Sequence, residues 1–185
     1  MNIAVYSGSF NPLHKGHLAI LRYLVGEGGY DCVYLIVSPK NPLKEGISAA
    51  SGTDRFNAAV EAVKRHFSEK VKVDDIELTM PAPHYTIRTL DALREREPGN
   101  AFTLVMGADN LADIRRWRDY GRILKEYGTA VYPRKGFDLS MVKDDLLEED
   151  LSYKIDILNA EMVDISSTII RDAIARGQDM SGWLM

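Results

Sequence analysis

The stretch IAVYSGSFNPLHKGHLAI, residues 3–20, decides the reading of this chain. Ile3–Tyr6 is a short apolar run that reads as a strand. A helix is expected over about 15–27, with Leu18, Leu21 and Val25 on one stripe. Between them, GSFNPLHKGH (residues 8–17) sets His14 and His17 three apart, astride Gly16. The first N–H groups of a helix lack internal partners and carry partial positive charge. Acidic side chains usually sit there, yet Leu13 to Leu18 contains none and supplies His14, Lys15 and His17 instead. A bound anion would resolve the conflict. Residues three apart share a helix face, so both imidazoles can address one ligand. Gly16 has no side chain, so a bulky group can pack on its backbone. The duller reading is two surface histidines beside a turn. A metal site would need a third ligand that the neighbouring sequence does not offer.

Working outward, strand-like and helix-like runs alternate. Strands are expected at 32–38 (CVYLIVS), 71–78 (VKVDDIEL), 101–106 (AFTLVM) and 129–132 (TAVY), with YKIDIL and EMVDI as short strands or strand ends. After a possible cap at Thr53, Phe56, Ala59, Val60, Val63 and Phe67 form a core-facing helical stripe. Further helices are expected at 85–97, stopped by Pro98 and Gly99, at 110–126, at 138–150 as an acidic surface helix, and at 167–176, stopped by Gly177. This alternation predicts an α/β fold: one domain over residues 1–185 with a doubly wound, mostly parallel sheet. In such sheets ligands bind beyond the carboxyl ends of the strands, where strand order reverses. The segments to watch are therefore Gly8–His17, Ser38–Lys44, Gly107–Asn110, Pro133–Gly136 and Ser166–Arg171.

Composition narrows the function classes. The 185 residues are 45% hydrophobic and 27% charged, as in ordinary globular proteins. The net charge is −4 with no basic cluster, so there is no electrostatic footprint for nucleic acid. No apolar run reaches the roughly 20 residues of a membrane span, and no signal peptide is expected, because Asn2 and the Gly8–Asn11 turn break any apolar leader segment. The single cysteine, Cys32, sits in an apolar run and reads as a buried small hydrophobe. A cytoplasmic protein is the expectation.

The charge conflict at residues 13–18 recurs at ISSTIIR, residues 165–171. Ser166, Ser167 and Thr168 can cap a helix whose expected buried face is Ile169, Ile170, Ala173 and Ile174. Arg171 lies about one turn in, where a cation should cost a few tenths of a kcal/mol. Taken alone, this is a capped helix with a surface arginine. Two helix openings that both lack acids and carry cations suit a polyphosphate.

GSFNPLHKGH with the distant ISSTIIR resembles the HxGH nucleotidyltransferase superfamily. SPKNPLK (38–44), YTIRTL (85–90), GADNL (107–111) and RW (116–117) resemble its bacterial nicotinate mononucleotide adenylyltransferase branch. The resemblance implies adenylyl transfer from ATP to nicotinate mononucleotide, giving deamido-NAD and pyrophosphate. It implies that His14, His17 and Arg171 are catalytic, with His17 stabilising the transition state. It places Gly8, Ser9, Phe10, Gly16, Arg134, Ser167 and Thr168 beside them on ATP. Lys44, Thr86, Asp109 and Trp117 resemble residues that hold the mononucleotide and the reacting phosphates. Mg²⁺ is implied as a companion of ATP, with no built-in metal site. The same ATP site would serve a phosphopantetheine adenylyltransferase, or a module that senses nucleotide without turnover. Two residues depart from the pattern: Ser7 where another glycine is common, and Arg88 where an acid is common. The oligomeric state stays open, a homo-oligomer included.

Overall fold

The computed structural model describes residues 1–39 and 51–185. The expected role of Lys44 lies outside the described residues. Six strands form one sheet: β1 (Asn2–Gly8), β2 (Cys32–Val37), β3 (Val71–Asp74), β4 (Ala101–Gly107), β5 (Thr129–Tyr132) and β6 (Ile155–Ile157). Their spatial order is β3-β2-β1-β4-β5-β6, and every neighbouring pair is parallel. The order reverses between β1 and β4, so the loops leaving those two strands flank the expected ligand crevice.

Among the described residues, eight α-helical segments accompany the sheet: α1 (Lys15–Val25), α2 (Gly52–His66), α3 (Ile76–Thr79), α4 (Thr86–Arg96), α5 (Ala108–Ala112), α6 (Tyr120–Arg122), α7 (Leu139–Glu149) and α8 (Ser167–Ala175). Side chains alternate along a strand, so each strand feeds two cores. Ala4, Tyr6, Val33, Leu35 and Val37 pack with Leu18, Leu21 and Leu24 of α1 and Ala59, Ala62 and Val63 of α2. Ile3, Val5, Tyr34, Ile36, Leu104 and Met106 pack with Leu90 and Leu93 of α4 and Leu146 of α7 on the opposite face. The doubly wound parallel sheet expected from the sequence is the fold observed.

Several local expectations are corrected. The strand expected over 71–78 stops at Asp74, because Asp74 Oδ1 accepts the Ile76 N–H at 3.0 Å and turns the chain into α3. The helix expected over 110–126 is broken: Asp119 adopts φ 52°, which a continuous helix cannot contain. A wide turn, Ile123–Tyr127, then leads to Gly128 at φ 76°. Ser51, not Thr53, caps α2, exchanging hydrogen bonds with Asp54 in a reciprocal box. Residues 161–165 form no strand. On α8, Ile170 and Ala173 are buried while Ile169 and Ile174 are about half exposed, so only part of the expected face packs. Among the described residues, no helix is long and apolar enough to cross a membrane.

Candidate active site

The histidine pair is built by the opening of α1. His14 is the N-cap, in extended conformation, and its Nδ1 accepts the Gly16 N–H at 3.2 Å. His17 reaches back, and its Nδ1 accepts the His14 N–H at 3.2 Å. This is a capping box made of imidazoles where Ser and Glu are the usual choice. It also fixes both tautomers. A ring nitrogen that accepts a backbone N–H carries no proton, so in the neutral ring the proton sits on Nε2. The two rings stack with centroids 3.7 Å apart, and Phe10 stands edge-on to His17 at 5.1 Å. Burial, and then the nearby Arg134 cation, push His14 down to about 4. Burial, His14 and Arg134 hold His17 well below its ordinary value. Both imidazoles are therefore neutral Nε2–H donors at pH 7. A Cβ on Gly16 would lie 3.0 Å from the His14 ring and 3.2 Å from Ile165 Cγ2, so the glycine lets these groups close over the helix start.

Beside the pair lies a cleft of about 370 Å³, lined by Tyr6, His14, His17, Tyr132, Arg134 and Glu161 among others. Arg134 follows β5 and places its guanidinium 5.2 Å over the Tyr132 ring, with Nη2 3.4 Å from the Tyr132 hydroxyl. Its Nε is buried without a hydrogen-bond partner and sits 3.8 Å from Asp109 Oδ1. An unpaired buried donor costs free energy, and an anion in the cleft would satisfy it. Asp109 lies in the first turn of α5. A Cβ on Gly107 would displace that carboxylate and press on the Tyr132 ring, so the glycine leaves room for Asp109 to lie as it does.

The second helix opening meets the first. Ser166 caps α8 by accepting the Ile169 N–H at 3.2 Å. Ser167 Oγ donates to the Pro12 carbonyl at 3.0 Å. Arg171 donates to the Asn11 carbonyl at 2.7 Å and to Thr168 Oγ1 at 3.1 Å. Ile165, immediately before α8, packs at Gly16. Ser167, Thr168 and Arg171 thus abut the turn that carries His14. Arg171 is not in the lining of the cleft, and its guanidinium lies on the turn.

A second, broad depression of about 1020 Å³ is lined by Tyr85, Trp117, Arg116, Arg118 and Asp119 among others. Trp117 is half-buried against the core and also faces this depression. Thr86 is the first residue of α4. Tyr85 occupies the cap position ahead of it, so Thr86 is not the cap, and Tyr85 lines the depression.

Two buried residues escaped the sequence reading. Arg55 Nη1 donates to the carbonyls of Ser9 and Ser38 at 2.5 and 2.8 Å, joining the loops that leave β1 and β2. Glu77 accepts from Ser7 and Thr89. The one available signal was Arg55 itself, a cation in the first turn of α2. Among the described residues, no group of three or more His, Cys, Asp or Glu is arranged to hold a metal ion. Asp109, the acid in the first turn of α5, already faces Arg134. These residues do not make a resident metal site.

The cytidylyltransferase-like family model matches residues 5–173. The chain belongs to the cytidylyltransferase-like family. Two curated relatives carry the name probable nicotinate-nucleotide adenylyltransferase. The protein from Flavobacterium johnsoniae is 35% identical over 97% of this chain and 90% of its own length. That from Porphyromonas gingivalis is 37% identical over 100% of this chain and 89% of its own. The nicotinic acid mononucleotide adenylyltransferase of Plasmodium falciparum, solved in complex with NaAD, superposes with a TM-score of 0.79 at 19% identity. It covers 98% of this chain and 87% of that one. At that identity the likeness is one of fold, and it places this cytidylyltransferase-like chain in the same sheet architecture.

Proposed function

We propose that this protein transfers the adenylyl group of ATP to nicotinate mononucleotide, giving deamido-NAD and pyrophosphate in NAD biosynthesis. The names carried by the full-length relatives support the substrate pair. The observation that carries the chemistry is the imidazole capping box, with two neutral Nε2–H donors at an acid-free helix start.

A phosphate of the mononucleotide attacks the α-phosphorus of ATP. A new P–O bond forms, the bond to the α,β-bridging oxygen breaks, and pyrophosphate leaves with the electron pair. The attacking phosphate monoester is already anionic at neutral pH, so no general base or covalent nucleophile is needed. The protein's work is positioning and stabilising charge in the transition state. His14 and His17 donate Nε2–H to phosphate oxygens, and His17 is the group placed on the developing charge. The opening N–H groups of α1 add their partial positive charge. Gly8, Ser9 and Phe10 shape the turn facing ATP, and Phe10 (φ 43°) holds His17 edge-on. Arg134 supplies its Nε–H, which has no hydrogen-bond acceptor, from the nucleotide side. Ser167, Thr168 and Arg171 hold the Asn11–Pro12 segment of the turn, and Arg171 brings a second cation to it. Asp109 takes the ribose side, and Thr86 and Trp117 take the pyridine side.

Mg²⁺ enters as part of the MgATP substrate and binds through phosphates and water. We place the reaction in the cytoplasm, in one nucleotidyltransferase unit spanning residues 1–185. Pyrophosphate release from MgATP tests the reading, with nicotinate mononucleotide, nicotinamide mononucleotide or phosphopantetheine as acceptor. Release with nicotinate mononucleotide is expected. Release only with phosphopantetheine moves the chain to another branch, and release with none makes it a nucleotide-binding module.

A further inference from the structure

We propose that Glu77 is a positioning residue for the transfer, a buried acceptor that links the ATP-side turn to the helix beginning at Thr86. The inference rests on the reaction proposed above. Glu77 is 5% exposed and sits in α3, the short helix that displaced the end of the expected third strand. Its Oε1 accepts from Ser7 Oγ at 3.2 Å and from Thr89 Oγ1 at 2.9 Å. Ser7 Oγ also lies 3.0 Å from Ser38 Oγ. A hydroxyl has one proton to give. When Ser7 gives its proton to Glu77, Ser38 must donate to Ser7. The result is a directed chain: Ser38 to Ser7 to Glu77, with Thr89 arriving from the other side.

Each member belongs to a different part of the site. Ser7 is the penultimate residue of β1 and leads into Gly8, Ser9 and Phe10. Ser38 is the first residue after β2, and its carbonyl shares Arg55 with that of Ser9. Thr89 lies on α4, three residues beyond Thr86 and so on the same side of the helix. Thr89 is itself buried. One carboxylate oxygen thus sets the spacing between the strand ends that present ATP and the helix start that presents the mononucleotide. The link also explains the departure at Ser7, since a glycine there would leave this oxygen with one donor fewer. A carboxylate out of water is costly unless hydrogen-bonded. Its place between two donor hydroxyls, those of Ser7 and Thr89, fits a role in fixing geometry, where a misplacement of about 1 Å can cost roughly 10²-fold in rate.

The test compares Glu77→Gln, Glu77→Ala, Ser7→Ala and Thr89→Val, each checked for folding by its thermal transition. Glutamine keeps an oxygen that accepts both hydroxyls, so E77Q is expected to hold kcat within about threefold of the parent. E77A is expected to lose about ten- to a hundredfold in kcat, with a raised KM for nicotinate mononucleotide and an unchanged KM for ATP. S7A and T89V, which remove one donor each at low risk to folding, are expected to show the same split more weakly. Variants that melt earlier but turn over at the parent's kcat would make Glu77 purely structural and overturn the proposal. A folded E77Q as slow as E77A would overturn the acceptor geometry. Amide exchange at residues 8–10 and 85–89 reads the link without turnover. Both segments should exchange faster in E77A and T89V, and a change at neither would also overturn it. Absence of turnover in the parent with every acceptor, beside coupled exchange in the variants, would refute the reaction and leave the link standing.

Discussion

Arg171 of α8 donates from Nη1 to the main-chain carbonyl of Asn11 at 2.7 Å, across 160 residues of sequence. The same helix sends Ser167 to the Pro12 carbonyl. Two acid-free helix openings are therefore one assembly, and the turn Asn11–His14 is their shared wall. Each opening alone would carry uncompensated positive charge. Held against each other through that turn, they set two positive helix ends side by side.

Replacing Arg171 tests this assembly. Lysine has one nitrogen on a flexible stem and cannot bridge Asn11 and Thr168 as the guanidinium fork does. We expect Arg171→Lys and Arg171→Ala both to slow pyrophosphate release, by about 10²-fold for alanine, as for loss of one preorganised charge-stabilising donor. Steady-state assays with saturating ATP read this. Equal rates for the lysine variant and the parent would reduce Arg171 to a generic surface cation.

His17→Ala removes one Nε2–H donor and the partner of the His14 N–H. The helix keeps its His14 cap bond to Gly16. The fold should survive, at a cost of about 1 kcal/mol for the lost half of the capping box, while turnover falls by about 10²-fold or more. Near-normal pyrophosphate release from the folded variant would remove His17 from the chemistry.

The sheet was legible because its strands are apolar runs such as Cys32–Val37, every residue of which is buried. The first site element was legible because His14 and His17 violate a local charge preference. Asp119 was not: it takes a left-handed conformation with no glycine or Asn-Gly signal, so the stretch 110–126 read as one helix. Thr53 read as the cap because it directly precedes Asp54, whereas the box that forms is the one with an acid three residues on, Ser51 with Asp54. Ile169 and Ile174 read as core because periodicity records spacing, not whether a neighbour arrives to cover it. Glu77 and Arg55 were invisible for a different reason. Their partners lie 70 and 46 residues away in Ser7 and Ser9, and no local pattern encodes a hydrogen bond across that span.

His14 makes stability depend on pH. Its folded pKa is pushed down to about 4, by burial first and Arg134 second, against 6.5 in an unfolded chain. Between those values the unfolded chain binds a proton that the folded chain refuses. Stability is therefore complete above about pH 6.5 and falls as pH drops toward 4. His17 is shifted in the same direction and adds to the slope. The ion-paired acids Glu126 and Asp150, held down to about 2, lose their contribution mostly below this window. His14→Asn keeps a side-chain oxygen for the cap but removes the titration. Chemical denaturation at half-unit steps from pH 7 to 4 should give a shallower loss for this variant than for the parent. Superimposable curves would contradict the buried neutral imidazole.

Replacing Trp117 tests whether the broad depression takes the mononucleotide. Trp117 lines the open depression beside Tyr85 and is not among the residues lining the cleft that holds His14, His17 and Arg134. An aromatic ring exposed on such a wall offers a stacking partner for a pyridine ring, worth about 1 kcal/mol beyond the area it covers. Its inner edge packs on the core, so truncation to alanine also costs stability, up to about 3 kcal/mol for a side chain only partly buried. Trp117→Phe keeps a ring and most of that packing, and is the cleaner control. For Trp117→Ala we expect the KM for nicotinate mononucleotide to rise about tenfold, the equivalent of 1.4 kcal/mol, while the KM for ATP stays within twofold and Trp117→Phe lies between. Calorimetric titration of each nucleotide separately distinguishes this from a general loosening of the fold. Parallel losses for both nucleotides would assign Trp117 to the scaffold and leave the pyridine subsite to be found elsewhere on the C-terminal rim of the sheet.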